Sequence, residues 1–408
     1  MTNKNRVVIT GLGTISAIGE STPEFKTNLF RGECGIRPVT LFDTDGFPTR
    51  MAAEIKSKNL ESSFNPRTIK RTSRCDILGL LAAGEAMADA DLDFNHLNRE
   101  RVGVVLGGGA GGMRSWEKYR RLERRGGDTP RASWLLAFSA GTLSDLIGRR
   151  YGLNGTRATI TTACSSSSTA IGYAFDLIRS GELEVVVSGG SEALCELTFA
   201  GFNALKATDP EYCRPFDKNR KGLSLGEGAA IIVMEGFDRA QARGAKIYAE
   251  VLGYAINSDA HHLTAPDPKA LGMSRVMTAA IKNAGIEPER IDYINAHGTA
   301  TRINDRLETR AIKKVFGGNK AATLAVSSTK SMIGHCLGAS GAIEATATVL
   351  ALYEQIIPPT IHYQDPDPDC DLDYIPNESR KADFQFALSN SFAFGGNNSA
   401  LVLARISR

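Results

Sequence analysis

No stretch of the 408-residue chain reaches about 18 consecutive apolar residues, which excludes a membrane-spanning helix. A dominant charge is missing too: 48 Lys and Arg face 45 Asp and Glu, for a net charge of +3. That balance gives no global field for nucleic acid, so any basic surface has to be local. Cysteine is scarce, with seven residues at 34, 75, 164, 195, 213, 336 and 370 and no CxxC spacing. An odd, scattered set argues against a zinc knuckle or a disulfide framework and for free thiols in a reducing compartment. The opening MTNKNRVVITGLG has no apolar leader before its first strand-like run, so the expected location is the cytoplasm. At 42% hydrophobic and 23% charged, the chain has an ordinary globular composition and a core that needs no staples.

What is present is an order of elements that occurs twice. In the first half, 101–108 (RVGVVLGG), 157–163 (RATITTA), 184–188 (EVVVS) and 229–234 (AAIIVM) read as buried strands, with a small-residue helix over 165–180. In the second half, strands at 290–296 (RIDYINA), 324–328 (LAVSS), 386–391 (FALSNS) and 399–405 (SALVLAR) enclose a helix over 339–355. KIYAEVLGY (246–254) echoes the opening strand, so the seam is placed near residue 245, giving halves 1–245 and 246–408. The pattern predicts a duplicated α/β unit with a mixed or parallel sheet covered by helices. One insertion, 114–131, carries seven basic side chains against three acids, and its simplest reading is a solvated helix and loop.

Two glycine-rich stretches fail as phosphate cradles. GLGTISAIG (11–19) has Ser16 where a dinucleotide turn needs its third glycine, and GGGAGG (107–112) lacks the Lys-Ser/Thr ending of a P-loop. TTACSSSSTAIG (161–172) differs, because it sets Cys164 between a buried strand and the first turn of a helix. Unsatisfied N–H groups and the helix dipole favour a thiolate there, and small neighbours leave room for a substrate. Two of six histidines, His297 in NAHGTAT and His335 in STKSMIGHCLGASG, lie in Gly- and Thr-rich turns after strands, where α/β sheets converge on a crevice. Zinc held by these three side chains is the competing reading; none shows short ligand spacing and no fourth ligand suggests itself. NSFAFGGNNSA (390–400) reads as a hydrophobic hairpin tip whose backbone N–H can hold an oxyanion, with Phe394 as a movable plug.

These motifs, with NDRLE after the first histidine loop and RPFDKNRKGLSLGEGAA before it, resemble those of the β-ketoacyl-acyl carrier protein synthases of the elongating type II class, over essentially the whole chain. The resemblance implies the thiolase fold, a duplicated five-stranded α/β unit in a five-layered αβαβα core, as a homodimer without cofactor or metal. It implies decarboxylative condensation of malonyl carrier protein with an acyl group on Cys164, aided by His297 and His335. Lys330 matches the supporting lysine, expected either to tune His335 and the local field or to serve as a structural ion-pair partner of Glu344 or Asp305. Asp305 and Glu308 match the acids after the first histidine loop, and Glu344 the acid after the second. Thr299 and Thr301 match the threonines on the pantetheine arm. Phe394 matches the gating phenylalanine whose N–H joins that of Cys164. Phe202, Gly395 and Ala110 complete the expected substrate-binding set. PRTIKRTSR resembles the basic patch that grips the acyl carrier protein, placing Arg67, Lys70 and Arg71, with Arg124 and Arg125 extending it.

Some positions depart from the family pattern. Arg302 and Ile303 replace a proline-containing run, Ala393 replaces the first glycine of the usual GFGG loop, and Asn397 replaces its threonine. Ala110 stands where many elongating synthases carry a bulky residue, which leaves acyl preference open. A ketosynthase of a polyketide or specialised-lipid cluster is therefore an alternative. A chain-length-factor-like subunit would lack the nucleophile that Cys164 supplies. A degradative thiolase would need a second catalytic cysteine, for which neither Cys336 nor Cys370 has the context, and an initiating synthase would carry Asn in place of His335.

Overall fold

The computed structural model describes residues 5–57, 59–93, 96–126 and 129–406, so residues 127 and 128 of the basic insertion lie outside the described set. Ten strands form the central sheet. In the first half these are β1 (Val7–Ser16), β2 (Val102–Gly107), β3 (Arg157–Ile160), β4 (Val185–Glu192) and β5 (Gly228–Gly236). The second half supplies β6 (Ala249–Ser258), β7 (Tyr293–Asn295), β8 (Ala325–Ser327), β9 (Phe386–Phe392) and β10 (Asn397–Ala404). The sheet order is β8-β7-β9-β10-β6-β1-β5-β4-β2-β3. Each half thus places its strands in the same order, third, second, fourth, fifth, first. The third, second, fourth and first strands run parallel, and the fifth runs antiparallel between the fourth and the first. The halves meet where Val7, Val8 and Ile9 pair with Val251, Glu250 and Ala249.

Helices cover the sheet in layers. On the outside of the first half lie α1 (Arg74–Ala90) and α3 (Thr142–Tyr151), and α2 (Met113–Arg125) comes between them in sequence. The central helices are α4 (Ser166–Arg179) and α8 (Ser340–Glu354), which touch each other and strands of both halves. Between them in sequence come α5 (Glu196–Ala204), α6 (Leu271–Ala284) and α7 (Arg302–Thr323). Helices α6 and α7 cover the second half, with Leu307, Ile312 and Phe316 packed in the same apolar cluster as Ile294 and Val326. This is the five-layered arrangement expected from the resemblance.

Small side chains let the central layer close. A Cβ on Gly341 would stand 2.7 Å from the Cβ of Ser168, so α8 and α4 cross nearly backbone to backbone. The serine and alanine runs of both helices are therefore buried packing surface. The glycines of 11–19 serve a similar end: a Cβ on Gly13 would come within 1.9 Å of the Ala82 carbonyl oxygen in α1. Gly11 and Gly13 form part of a buried strand, while Gly19 closes the turn after it, exchanging backbone hydrogen bonds with Ser16. Strand β3 ends at Ile160, short of the predicted 163, because residues 163–165 wind into a 3-10 turn before α4. Helix α2 realises the insertion; Arg124 and Arg125 are exposed at its end, while Arg114 reaches the Leu41 carbonyl.

Candidate active site

Cys164 sits on a forced corner. Ala163 before it takes φ +54, a left-handed conformation costly for a residue with a Cβ, and the chain then enters α4 at once. A Cβ on Gly107 would meet the Ser167 backbone nitrogen at 2.2 Å, so the end of β2 buttresses this corner from behind. The thiol faces His335, whose Nε2 lies 3.1 Å from the sulfur. Burial pushes the Cys164 thiol up to about 11, against the pull of Lys330 and of the Phe394 N–H. This corrects the expectation that the helix terminus alone yields a resting thiolate: desolvation outweighs it.

The two imidazoles come from loops after β7 and β8. At His335, the Leu337 N–H donates to Nδ1 at 3.2 Å, and the Ser340 hydroxyl lies 2.8 Å from the same nitrogen. At His297, the Lys330 ammonium, which can only donate, lies 3.3 Å from Nδ1 and also donates to the His297 carbonyl oxygen at 2.6 Å. Both neutral rings therefore carry their proton on Nε2. Burial, together with the Lys330 charge, holds both histidines well below 6.5.

Lys330 is fully buried and paired with Glu344, whose carboxyl burial pushes up to about 7 against the lysine's pull. Of the two partners expected, Glu344 is the one found; Asp305 lies instead beside Arg220, with the Phe216 and Ala300 N–H groups on its carboxylate at 2.7 and 3.1 Å. Lys330 bonds His297 rather than His335 and reaches the latter through its charge. Glu308 accepts the N–H groups of His297 and Gly298, both at 2.8 Å, and so fixes the first histidine loop.

These groups open onto a cavity of about 370 Å³. Cys164, His297 and His335 lie at its buried end, and its exposed lining includes Leu205, Lys206, Lys221, Arg302 and Ile303. Thr299 and Thr301 line it with their hydroxyls 2.9 Å apart, and Phe202 stacks on Phe394 at 5.7 Å. Ala110 and Gly395 lie outside this lining: Gly395 turns the chain at φ +78 and donates to the Leu263 carbonyl, and Ala110 donates to Glu192. Arg67, Lys70 and Arg71 are exposed at a short helix over Pro66–Ile69 and its end, and none lines the cavity. Among the described residues no group of three or more His, Cys, Asp or Glu side chains is arranged to hold a metal. Sequence reasoning missed Ser340, Glu192 and the mouth lysines Lys206 and Lys221; the strand that Glu192 ends also carries Ser188 and Ser191, so its acid gave no local signal.

Comparison with known proteins agrees with this geometry. Residues 4–240 match the model described as Beta-ketoacyl synthase, N-terminal domain, and residues 248–364 match Beta-ketoacyl synthase, C-terminal domain. The chain belongs to the β-ketoacyl synthase family. It is 42% identical over 410 residues to 3-oxoacyl-[acyl-carrier-protein] synthase 2 of Synechocystis sp., with 98% of each chain covered. Among solved structures it is similar to the ishigamide ketosynthase/chain length factor, with a TM-score of 0.95 and 38% identity over 99% of this chain and 100% of that one. It is also similar to AntDE:AntF, a type II polyketide synthase acyl-carrier protein in complex with its ketosynthase, at a TM-score of 0.91 and 32% identity over 99% and 100% of the two chains. Within the β-ketoacyl synthase family the chain is thus of the synthase 2 type, with the thiolase-like fold. No helix among the described residues is long and apolar enough to cross a membrane.

Proposed function

We propose that the chain is a 3-oxoacyl-[acyl-carrier-protein] synthase that lengthens an acyl group held on Cys164 by two carbons, taken from malonyl carrier protein. The observation that carries this reading is the pair of buried, neutral imidazoles with their Nδ1 atoms occupied, beside one thiol in one cavity. In the first half-reaction the Cys164 sulfur attacks the acyl thioester. The Cys164 and Phe394 N–H groups, both of which act on the sulfur at rest, hold the tetrahedral oxyanion. The carrier thiol leaves with the proton and the acyl-enzyme remains. Malonyl carrier protein then binds; its carboxylate leaves as CO2, and the bond's electron pair moves into an enolate whose oxygen accepts the Nε2–H of His297 and His335. Neutral donors suit this step, since an imidazolium would protonate the carbanion before it attacked. The carbanion then attacks the acyl carbon, the C–S bond breaks, and the Cys164 thiolate regains a proton from solvent.

Purified protein given acyl and malonyl carrier proteins should release CO2 and 3-oxoacyl product, and Cys164→Ala should stop it. Undiminished product from that variant would overturn the reading. A polyketide ketosynthase is the second reading, favoured by the likeness to the ishigamide and AntDE proteins. Loading of Cys164 from a library of acyl carrier proteins, read by mass, separates the two.

The exposed Arg67, Lys70, Arg71, Arg124 and Arg125 form the docking surface of this proposal, suited to an acidic carrier protein. A homodimer is part of it as well. Strand β3 is a half-exposed sheet edge whose outer side pairs with no strand among the described residues, whereas its counterpart β8 is buried. The division into halves 1–245 and 246–408 follows the repeated strand order, and a cytoplasmic setting suits seven free thiols.

A further inference from the structure

Glu192, at the end of β4, is fully buried, and among the described residues no cation pairs with it. Its carboxylate instead collects three backbone donors from two distant loops. Gly109 and Ala110 each donate at 2.9 Å, and Gly338 donates at 3.0 Å. The backbones are pressed together around it: a Cβ on Gly338 would stand 2.5 Å from the Gly109 nitrogen and 2.7 Å from Glu192 Oε2. A bare buried carboxylate is costly, so its retention with only backbone donors calls for a reason.

The reason lies one residue away. Leu337, held between His335 and Gly338, takes φ +45 and aims its N–H at His335 Nδ1. The second group on that nitrogen, the Ser340 hydroxyl, can donate or accept, so it favours neither tautomer. The Leu337 N–H can only donate, so it alone decides that the proton rests on Nε2. We propose that Glu192 is a positioning residue that clamps the 337–338 turn against the 109–110 loop and thereby holds His335 in its Nε2–H tautomer. Released from the clamp, the ring can turn its Nδ1–H to Ser340 and present a bare Nε2 to the thioester oxygen. The role rests on the condensation reading above, while the tautomer itself is observable without any substrate.

The test uses full-length protein with histidine labelled in nitrogen-15. In wild type, His335 should give one signal set of the Nε2–H form. Glu192→Gln, whose amide cannot accept all three donors, should show a second tautomer. Its condensation kcat should fall about 10- to 100-fold, the size typical of an outer partner that orients an imidazole, with little change in KM for malonyl carrier protein. Gly338→Ala reaches the same clamp sterically, keeps the carboxylate, and should give the same mixture. An unchanged tautomer in a folded variant overturns the proposal, as does loss of folded protein in both variants, which would make Glu192 a brace of the fold. A wild type that shows the single tautomer yet makes no 3-oxoacyl product would instead overturn the condensation reading and leave the clamp standing.

Discussion

The rings of His297 and His335 stand 5.4 Å apart, centroid to centroid, with their planes at 85°. Each has its Nδ1 engaged by a separate donor, Lys330 for one and the Leu337 N–H for the other. The pair is therefore two independent hydrogen-bond donors rather than a relay that passes one proton between rings. That independence divides the labour of the two half-reactions.

Replacing His297 by alanine should separate the half-reactions. The acylation oxyanion is assigned to backbone N–H groups, so loading of Cys164 should change by no more than a few-fold. Condensation loses one of two enolate donors and should fall about 100- to 1,000-fold, as for removal of an oxyanion donor. Mass spectrometry of the loaded enzyme, set beside product formation, reads both. An equal loss in the two would refute the division.

Stability should carry the mark of the buried histidines. His335 is held well below 6.5, so in acid the unfolded chain takes up the proton first. Its contribution is complete above the unfolded value and is lost as pH falls below it. Glu344 and Glu192, raised to about 7 from 4.5, have the opposite sign: their contribution is present below 4.5 and is lost as pH rises toward 7. Comparing wild type with His335→Asn cancels the carboxyls common to both. As pH rises toward 6.5 the unfolding free energy of wild type should gain on the variant, by at most about 1.4 kcal/mol per pH unit, levelling off above about 6.5. Urea titrations at three pH values check the slope; a constant difference counts against a neutral His335.

Phe202 and Phe394 stack at 5.7 Å with planes 21° apart, and Phe394 is 36% exposed at the cavity. Such a pair contributes about 0.5 to 1.5 kcal/mol beyond its buried area. Phe202→Ala removes it and frees the loop that carries the Phe394 N–H. The rate of Cys164 acylation should change by about 2- to 10-fold, the same energy expressed as a rate, with kcat for condensation of preloaded enzyme unchanged. Stopped-flow loading resolves the two; no change in loading means the ring does not hold the loop.

Much of this site was legible in the chain because its parts are local. A β-branched run followed by small residues placed Cys164 at a strand-to-helix corner, and the glycine-rich turns placed both histidines. The repeated succession of strands and helices along the chain was readable from its apolar, β-branched runs, whereas the order of the strands across the sheet was not. What stayed hidden was tertiary. The choice by Lys330 of His297 depends on a contact 33 residues away in sequence, and the Glu192 donors lie 83, 82 and 146 residues away. The resting state of the thiol was misjudged for the same reason: the helix terminus is written in the sequence, but the depth of burial is not.

The corner at Cys164 can be tested through two adjacent glycines. At Gly107 a Cβ would press into the Ser167 backbone, meeting its nitrogen at 2.2 Å and its Cα at 2.3 Å. Neither atom can yield without moving the first turn of α4. At Gly108 the nearest atom, Thr159 Cγ2, is 4.0 Å away, which is ordinary contact. Gly107→Ala should therefore cost about 1 to 3 kcal/mol of stability, as overpacking does, and should slow acylation by displacing the sulfur from the Phe394 N–H. Gly108→Ala should be neutral or stabilising by up to about 1 kcal/mol through the less flexible unfolded chain. Thermal unfolding and mass-detected loading of both variants measure the contrast. Equal effects at the two positions would mean that backbone crowding behind α4 does not set the nucleophile's place.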